Sequence, residues 1–380
     1  MALLTAVPPD GPGARDVLRA VRRAIEGPGP AVLLGADAPV EVPPGTAAVV
    51  TTSGSTGYPK SVVLSRSALM ASAFATSARI GEGAWLLAVP PAYVAGLQVL
   101  VRSLMAGHEP AMLEGHFTAQ GFASAARLMA SSVGGRRIPT FTSLVPTQLV
   151  RLLDAADDPE VVSALRSFDA ILIGGQALPE PVSERAAAVG ARIVRTYGAS
   201  ETSGGCVYDG VPLDGVRMRI EGGELQLSGP TLADGYLGDP ERTDAAFPRD
   251  ADGTRWYRTG DAGEISDDRL RVFGRLDNVI ISGGVNVSLD RVERVVRGLP
   301  RMADAVVVAV PDDRWGEASV VVVPEVVPGS DAELIADIRR AVGGALGAPA
   351  RPARLLRVAT LPTLSSGKPD RVALRRLAAS

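Results

Sequence analysis

Residues 47–64 read AAVVTTSGSTGYPKSVVL, where a loop rich in Gly, Ser and Thr separates two apolar, β-branched runs. Glycines let a backbone approach an anion closely, and hydroxyl and backbone N–H groups donate to phosphate oxygens. The order strand, loop, strand therefore predicts a phosphate-binding loop, with a mobile hydroxyl-rich turn as the alternative. A Walker A loop needs Gly directly before its Lys. Here that residue is Pro59, which disfavours a P-loop NTPase.

The lysine that ends this loop is one of only two in the chain. Of 39 basic residues, all but Lys60 and Lys368 are arginines, and both lysines lie in Gly-containing loops. Lys is a compact point charge, whereas Arg is a broad planar fork. We therefore expect the two lysines to mark positions where a small ammonium must fit between a carboxylate and a phosphate. Two solvated loop lysines are the alternative.

The composition describes a globular chain and excludes several function classes. The chain has 380 residues, 46% hydrophobic and 21% charged, enough for roughly two to three domains. A net charge of −3 without a basic stripe argues against nucleic-acid binding. One cysteine, Cys206, fits a reducing compartment, so a cytoplasmic location is predicted. His108 and His116 are the only histidines, which disfavours metal sites of His and Cys and leaves few options for a Ser-His-Asp triad.

The N-terminus shows no signal-peptide pattern, and no apolar run approaches the ~20 residues of a membrane span. Further along, strand-like and helix-like stretches alternate from residue 84 to residue 195, which predicts parallel strands with crossover helices. Helices are predicted over residues 14–26, 65–79, 96–105, 119–129, 145–155, 179–189, 288–297 and 331–346.

The alternation of strand-like and helix-like stretches ends after Tyr197. Short strands with Gly and Asp turns between residues 216 and 275 indicate a small antiparallel, barrel-like module. Beyond Asp277, strands and helices form a compact α+β pattern that ends in a helix. The predicted fold class is therefore α/β. A large N-terminal domain of parallel αβ layers with the β module (1–276) precedes a small, mobile α+β C-terminal domain (277–380).

Five segments resemble the signature motifs of the adenylate-forming superfamily, which contains acyl-CoA synthetases, adenylation domains and luciferases. They occur in the order found in that family and cover residues 52–371. Together they are much more specific than any one of them alone. The segments are TSGSTGYPKS (52–61), YGASET (197–202), WYRTGDAGEI (256–265), GRLDNVIISGGVNVS (274–288) and SSGKPDR (365–371).

The resemblance implies a two-step ligase that uses ATP, Mg²⁺ and coenzyme A. A carboxylate joins the α-phosphate of ATP, pyrophosphate leaves, and a thiol then takes the acyl group. Two anions meet in the first step, so cations are needed at the reacting centre. The resemblance assigns catalysis to Lys368, which would bridge the anions, to Glu201, which would hold the metal, and to Ser200, which would donate to phosphate where relatives often carry Thr.

The resemblance also implies a nucleotide site. Tyr197 would lie against adenine, and Asp261 would accept hydrogen bonds from the ribose hydroxyls. A core aromatic and a turn aspartate are the respective alternatives. Arg275 would contact phosphate or ribose. The full predicted ATP-binding set is Thr52, Ser53, Gly54, Ser55, Thr56, Gly57, Lys60, Gly174, Gly175, Gln176, Tyr197, Gly198, Asp261 and Arg275.

In the family the small C-terminal domain rotates between the two half-reactions. Asp277 matches the hinge position of that rotation, which would withdraw Lys368 from the site. Gly283 and Gly284 would then face the site and leave room for a thiol arm. Hinges are positions that absorb a change in backbone torsion.

Residues 90–107 and 138–153 resemble the o-succinylbenzoate–CoA ligases of menaquinone biosynthesis, short forms of which occur in actinobacteria. Their acid carries a second carboxylate, and Arg102 matches a basic position there, with a helix-surface arginine as the equal alternative. Tyr93 stands where many relatives carry His. Gly96 and Ser143 complete the predicted acid site. The signature loop begins earlier than in most relatives, so the N-terminal subdomain is shortened.

Three functions remain open from the sequence. The first is an acid–CoA ligase acting on 2-succinylbenzoate. The second is a stand-alone adenylation enzyme that loads an aryl acid onto a carrier protein. The third is a degraded nucleotide-binding module, against which the intact Lys368, Glu201 and Asp261 argue. Expected partners are a small carboxylic acid and coenzyme A, without nucleic acid or a membrane span. The oligomeric state stays open, a homodimer included.

Overall fold

A computed structural model of the chain describes residues 2–3, 5–7, 13–35, 41–53, 59–129, 131–312, 314–364 and 368–379. The helices of this part are α1 (Ala14–Glu26), α2 (Arg66–Ile80), α3 (Val94–Met105), α4 (Ala119–Arg127), α5 (Pro146–Asp154), α6 (Pro159–Ser167), α7 (Glu180–Ala188), α8 (Pro240–Ala246), α9 (Leu289–Arg297), α10 (Asp331–Leu346) and α11 (Arg371–Ala379).

The strands of the N-terminal part are β1 (Ala2–Leu3), β2 (Thr5–Val7), β3 (Val32–Leu34), β4 (Glu41–Val42), β5 (Thr46–Ser53), β6 (Pro59–Ser65), β7 (Ala84–Leu87), β8 (Ala111–Met112), β9 (Ser132–Val133), β10 (Arg136–Arg137), β11 (Thr140–Leu144), β12 (Ala170–Ile173), β13 (Ile193–Ala199), β14 (Gly204–Tyr208), β15 (Val211–Pro212) and β16 (Arg217–Glu221). The remaining strands are β17 (Glu224–Ser228), β18 (Gly235–Tyr236), β19 (Tyr257–Ser266), β20 (Arg269–Arg275), β21 (Val279–Ser282), β22 (Val285–Ser288), β23 (Val306–Asp312), β24 (Gly316–Pro324) and β25 (Arg354–Val358).

Two sheets organise the N-terminal part. A seven-stranded sheet has the order β15-β14-β13-β12-β11-β7-β8, and its strands from β13 to β8 are parallel, as the alternating pattern predicts. A five-stranded sheet has the order β18-β6-β5-β3-β2. The pairs β5–β6 and β13–β14 are antiparallel, and each is joined by a short connection. A parallel pair needs a crossover of a dozen or more residues, and these connections are far shorter.

Helices α1, α2 and α3 share one hydrophobic core with both sheets. Helix α3 is buried on all sides, which is typical of a helix in the interior of a protein. Helices α4 to α7 cover the other face of the seven-stranded sheet through a second core. The predicted α/β fold with parallel αβ layers is confirmed.

The predicted β module is the antiparallel sheet β16-β17-β19-β20. Its edge strands β16 and β20 are not paired with each other in the described residues. Strand β17 is buried along its whole length, whereas β19 and β20 present polar residues to one side. Asp261 of β19 lies opposite Arg275 of β20 in this register. The sheet therefore places two predicted site residues next to each other.

The C-terminal part is a sheet of order β22-β21-β24-β23 with β25 parallel to β24. Helices α9 and α10 pack on one face and α11 on the other, through separate cores. The α+β character predicted for this part is confirmed. The boundary after residue 276 and the mobility of this unit stay predictions. In the described residues, no helix is long and apolar enough to cross a membrane.

Candidate active site

Three parallel strands of the large sheet run to one edge, and the predicted adenine residues lie after β12 and within the end of β13. Leu144, Ile173 and Arg195 lie in register at the ends of β11, β12 and along β13. Ligands of open α/β sheets bind outside these carboxyl ends. The structure thus brings together the segment from Gly174 to Gln176 and the segment from Tyr197 to Glu201.

Glycine at position 198 allows β13 and β14 to approach closely. A Cβ atom there would lie 2.1 Å from the carbonyl oxygen of Gly204, a distance that no side chain tolerates. The strand pairing shifts register at this point, between Tyr197 and Gly198. Gly198 therefore shapes the turn that carries Ser200 and Glu201. The close strand approach explains why glycine is needed at this position, which the motif assigned to ATP binding.

Glu201 is a buried carboxylate held by two donors. Its side chain is only 3% exposed and forms an ion pair with Lys60 of β6. The hydroxyl of Tyr236 donates to the same carboxylate oxygen at 2.9 Å. Burial and the Glu201 charge raise the pKa of Tyr236, so its hydroxyl stays protonated and donates. Buried charges persist only when they are paired and hydrogen-bonded, and Glu201 has both kinds of partner.

Asp261 lies at the other side of the cleft. The hydroxyl of Tyr197 donates to Asp261 Oδ2 at 2.5 Å, and Nη1 of Arg275 lies 3.5 Å from Oδ1. Burial raises the pKa of Asp261, while the hydrogen bond from Tyr197 and the charge of Arg275 oppose that rise. Burial and the Asp261 carboxylate raise the pKa of Tyr197 well above its usual value. This pair is therefore a protonated donor that orients a carboxylate.

Arg275 also connects the β module to the predicted hinge. Its guanidinium donates twice to Asp277, from Nε to Oδ1 at 3.0 Å and from Nη2 to Oδ2 at 3.1 Å. These donors lower the pKa of Asp277. Asp290 holds the same segment, since it accepts from the Arg275 backbone N–H at 2.7 Å and from the Asn278 amide at 2.8 Å.

Lys368 extends from the C-terminal part into this cleft. A Cβ atom at Gly175, whose φ is +83°, would lie 3.6 Å from Lys368 Cε. Lys368 is exposed as a residue, while its ammonium is surrounded by protein atoms of the cleft. This loss of hydration lowers the pKa of Lys368, against the opposing negative charges of Glu201 and Asp261. The structure therefore brings the two lysines of the chain to one site, since the charge of Lys60 also acts on Lys368.

Arg102 lies in the core and not on a helix surface. The residue is 4% exposed, and Nη2 donates to the hydroxyl of Tyr208 at 3.3 Å. Its guanidinium lies 5.1 Å from the ring centroid of Trp85. Within the described residues, Nε has no hydrogen-bond partner, and no carboxylate is among the groups that act on the guanidinium. Burial lowers the pKa of Arg102. The surface-arginine interpretation is therefore excluded.

The other predicted acid-site residues lie near the start of α3 and on β11. Tyr93 precedes the helix, and Leu97 N donates to its carbonyl oxygen at 2.9 Å. At Gly96 a Cβ atom would lie 2.3 Å from the carbonyl oxygen of Pro90, so Gly96 permits close packing of helix and loop. Ser143 is buried on β11. A role of these residues in acid binding stays a prediction.

Part of the signature loop cannot be compared with its prediction. Gly54, Ser55, Thr56 and Gly57 lie outside the described residues, as does the side chain of Ser53. Thr52 lies one residue before the end of β5, and its hydroxyl lies 3.5 Å from the carbonyl oxygen of Lys60.

The described residues contain no group of three or more side chains that could hold a metal ion by themselves. Glu201 is a single buried carboxylate, and Mg²⁺ in nucleotide sites is usually held by one or two carboxylates together with substrate phosphates and water. The donor set therefore fits a Mg²⁺ ion that arrives with the nucleotide.

Sequence reasoning missed several residues that support these groups. Tyr236 donates to Glu201, Asp290 holds the segment at Arg275, and Tyr208 donates or accepts at the buried end beside Arg102. Tyr236 lies in a strand of two residues, too short to show a periodic pattern. Asp290 lies in the first turn of α9, after the N-cap Ser288. An acidic residue is common at that position, so nothing in the sequence marked it as part of the site.

The chain matches known proteins over almost its full length. Residues 14–237 match the family described as AMP-binding enzyme, and residues 291–368 match the AMP-binding enzyme C-terminal domain. A Mycobacterium tuberculosis protein named "Probable 2-succinylbenzoate–CoA ligase" is 41% identical over 385 residues, 97% of this chain and 96% of that protein. The 2-succinylbenzoate–CoA ligase of Salmonella typhimurium is 32% identical over 299 residues, 76% of this chain and 60% of that protein.

A solved structure shows the same fold. O-succinylbenzoate coenzyme A synthetase from Bacillus subtilis, in complex with AMP, superposes with a TM-score of 0.71 and 27% identity. The match covers 87% of this chain and 69% of that one.

Proposed function

This chain belongs to the AMP-binding enzyme family, and from that premise we propose that it is an AMP-forming ligase that joins 2-succinylbenzoate to coenzyme A in menaquinone biosynthesis. The observation that carries the activity is the position of Lys368, which reaches from the C-terminal part into a cleft with Glu201, Asp261 and Lys60. The relatives named for this reaction support the choice of acid.

The first half-reaction brings two anions together. A carboxylate oxygen attacks the α-phosphorus of ATP, and pyrophosphate leaves. Lys368 supplies an ammonium small enough to lie between the carboxylate and the α-phosphate, and its position stabilises the charge that develops there. Its pKa is lowered by lost hydration, and bound anions favour its charged form. A Mg²⁺ ion held by Glu201 would neutralise phosphate charge.

Lys60 and Glu201 have a second role in this arrangement. In the protein alone they neutralise each other inside the cleft. When the carboxylate holds a cation, the Lys60 ammonium becomes available to a phosphate oxygen. Tyr236 keeps its hydrogen bond to Glu201 and so maintains the direction of the carboxylate.

Asp261 fits the ribose. A carboxylate accepts hydrogen bonds from both hydroxyls of a diol. The hydroxyl of Tyr197 and the guanidinium of Arg275 fix the carboxylate from its other side. Tyr197 lies near the end of β13, at the edge where adenine is predicted to lie.

Arg102 fits the second carboxylate of a dicarboxylic acid. It is a buried cation without a carboxylate partner among the described side chains. Leaving such a charge unpaired is unfavourable, and breaking a buried pair by removal of one partner costs about 3–5 kcal/mol. An anionic group of the substrate supplies the missing partner. A mono-acid would leave the guanidinium unpaired, so this position favours a dicarboxylate.

The second half-reaction requires a different position of the C-terminal part. The turn at Gly283 and Gly284 is exposed, and both glycines take positive φ values, +58° and +80°. After rotation about Asp277, this turn would replace Lys368 at the cleft and leave space for the pantetheine arm of coenzyme A. The Arg275–Asp277 pair is formed in the present position and contributes little to holding it, since both side chains are partly exposed.

The direct test is acid-dependent exchange of pyrophosphate into ATP. The panel contains 2-succinylbenzoate and two mono-acid analogues, 4-oxo-4-phenylbutanoate without the ring carboxylate and 2-butanoylbenzoate without the chain carboxylate. We expect exchange with the dicarboxylate at the lowest KM, followed by thioester formation when coenzyme A is added. A carrier protein with a pantetheine arm serves as the alternative acceptor. Equal KM values for all three acids, or transfer to the carrier protein alone, would contradict the proposal.

A further inference from the structure

A chain of buried polar groups runs from Arg102 to the turn that carries Glu201. Nη2 of Arg102 donates to the hydroxyl of Tyr208 at 3.3 Å, and that hydroxyl lies 3.0 Å from Thr76 Oγ1. Thr76 Oγ1 donates to the Ser72 carbonyl oxygen at 2.9 Å, and Ser72 Oγ donates to the Ser203 carbonyl oxygen at 3.2 Å. All five residues are buried.

The direction of each hydrogen bond follows from the number of protons. Thr76 has one hydroxyl proton, and it goes to the Ser72 carbonyl oxygen, which can only accept. The Tyr208 hydroxyl must therefore donate to Thr76. The lone pairs of Tyr208 then face Arg102, which can only donate. Thr76 thus fixes the hydroxyl of Tyr208 in the one orientation that accepts from the guanidinium.

A tyrosine hydroxyl differs from a carboxylate at this place. It orients the guanidinium without neutralising it, so the positive charge stays available to a ligand. The face of Trp85 supports the same cation through its ring electrons. The Arg102 guanidinium is therefore fixed in orientation but has no anionic partner, which suits it to bind an anionic substrate.

The chain also links both ends of the candidate site. Ser203 follows the short helical turn from Ser200 to Thr202 and takes a positive φ of 54°. Its N–H donates to the Ser200 carbonyl oxygen at 3.1 Å, so its own carbonyl is fixed relative to Glu201. Helix α2, through Ser72 and Thr76, thereby sets the position of Arg102 relative to the predicted metal end.

We propose that Tyr208, oriented by Thr76, is a positioning residue that directs the Arg102 guanidinium toward the second carboxylate of a dicarboxylic substrate. The proposal rests on the proposed function, and it adds the residues that determine specificity at a distance from the substrate. Tyr208 acts through Arg102 and touches neither the acid nor the nucleotide.

The test is Tyr208→Phe, which removes the hydroxyl and keeps the ring. A hydrogen bond to a charged group is lost, so the KM for 2-succinylbenzoate in pyrophosphate exchange should rise about ten-fold. The KM for ATP and kcat at saturating acid should hardly change. Thr76→Val, which frees the Tyr208 hydroxyl to rotate, should raise the acid KM in the same direction and less. Thermal unfolding identifies any variant that fails to fold.

A double variant separates positioning from general support. In an Arg102→Ala background, Tyr208→Phe should have no further effect on the acid KM, because the group that it positions is gone. The positioning role of Tyr208 would be overturned by additive losses in the double variant. An unchanged acid KM in Tyr208→Phe, or an equal rise in its ATP KM, would overturn it as well. Failure of the wild type to exchange pyrophosphate with the dicarboxylate would instead refute the proposed function.

Discussion

The two ends of the candidate site differ in whether their charged groups have charged partners within the protein. At the nucleotide end, the acidic groups already have partners: Glu201 has Lys60 and Tyr236, and Asp261 has Tyr197 and Arg275. At the acid end, Arg102 has a neutral hydroxyl and an aromatic ring. In the proposed function, the acidic groups of the first end exchange partners when the nucleotide binds, whereas Arg102 gains its partner from the acid. The first end would then recognise ATP, and the second would select the acid by its charge.

Lys368→Ala should have the largest effect, because it removes the ammonium that the proposed mechanism places between the carboxylate and the α-phosphate. Loss of one group that stabilises transition-state charge typically lowers a rate by about 10²–10³-fold. Pyrophosphate exchange should fall at least this far, while equilibrium binding of ATP changes little. Lys368→Arg is the matched control, since it keeps the charge, and it should also fail because the fork is too broad. Near wild-type exchange in Lys368→Ala would remove the lysine from catalysis.

Asp277→Pro should divide the reaction at the hinge. Proline fixes φ near −65°, so a residue that must change its torsions is held in one state. Adenylate formation should persist, while thioester formation collapses. Asp277→Ala is the control, since it removes the pair with Arg275 but not the torsional freedom. Because this pair is largely exposed, its loss alone should change little. A parallel loss of both half-reactions in the proline variant, or of neither, would count against rotation at this residue.

The pH dependence of pyrophosphate exchange should also distinguish the two ends, with a smaller effect than either substitution. Lost hydration lowers the pKa of Lys368 below 10.5, so the protonated form that catalysis needs disappears as pH rises through this lowered value. The kcat/KM of exchange, which reports the free enzyme, should therefore fall on an alkaline limb below pH 10.5, by up to about ten-fold per pH unit. The contribution of Arg102 to dicarboxylate binding should change less over the same range, because a guanidinium loses its proton far less readily than an ammonium. A limb at the ordinary lysine pKa would contradict a dehydrated Lys368.

The sequence predicted the nucleotide end far better than the acid end. The lysine bias and the five motifs name Lys60, Glu201, Asp261 and Lys368, and the structure brings their charges together. Tyr208 could not be predicted, because it lies 106 residues from Arg102 in the chain and only tertiary packing brings the two together. Burial of Arg102 was equally hidden, since a single arginine in an apolar helix fits a surface or a core.

The fold shows the same contrast between local and distant signals. Helices 14–26 and 331–346 are confirmed residue for residue, and the latter begins with a Ser330–Glu333 capping box. Two helices were missed, α6 and α8, although both begin with Asp-Pro-Glu and the Asp accepts a backbone N–H in each. This start signal was readable. Strands β1, β2 and β4 have only two or three residues, too few for a periodic pattern.

The most direct test measures the KM for each ligand, ATP and 2-succinylbenzoate, in one variant of each end. In Arg102→Ala, the KM for 2-succinylbenzoate should rise steeply, since loss of a buried charge partner costs about 3–5 kcal/mol. The ATP KM should stay constant. In Asp261→Ala, the ATP KM should rise roughly ten-fold or more, since an acceptor of charged hydrogen bonds typically contributes about 1.5–3 kcal/mol, and the acid KM should stay constant. The analogue without the carboxylate that Arg102 binds should be insensitive to Arg102→Ala. If either variant weakens both ligands equally, or both acids lose equally in Arg102→Ala, the two ends are not separate and Arg102 supports the fold instead of selecting a dicarboxylate.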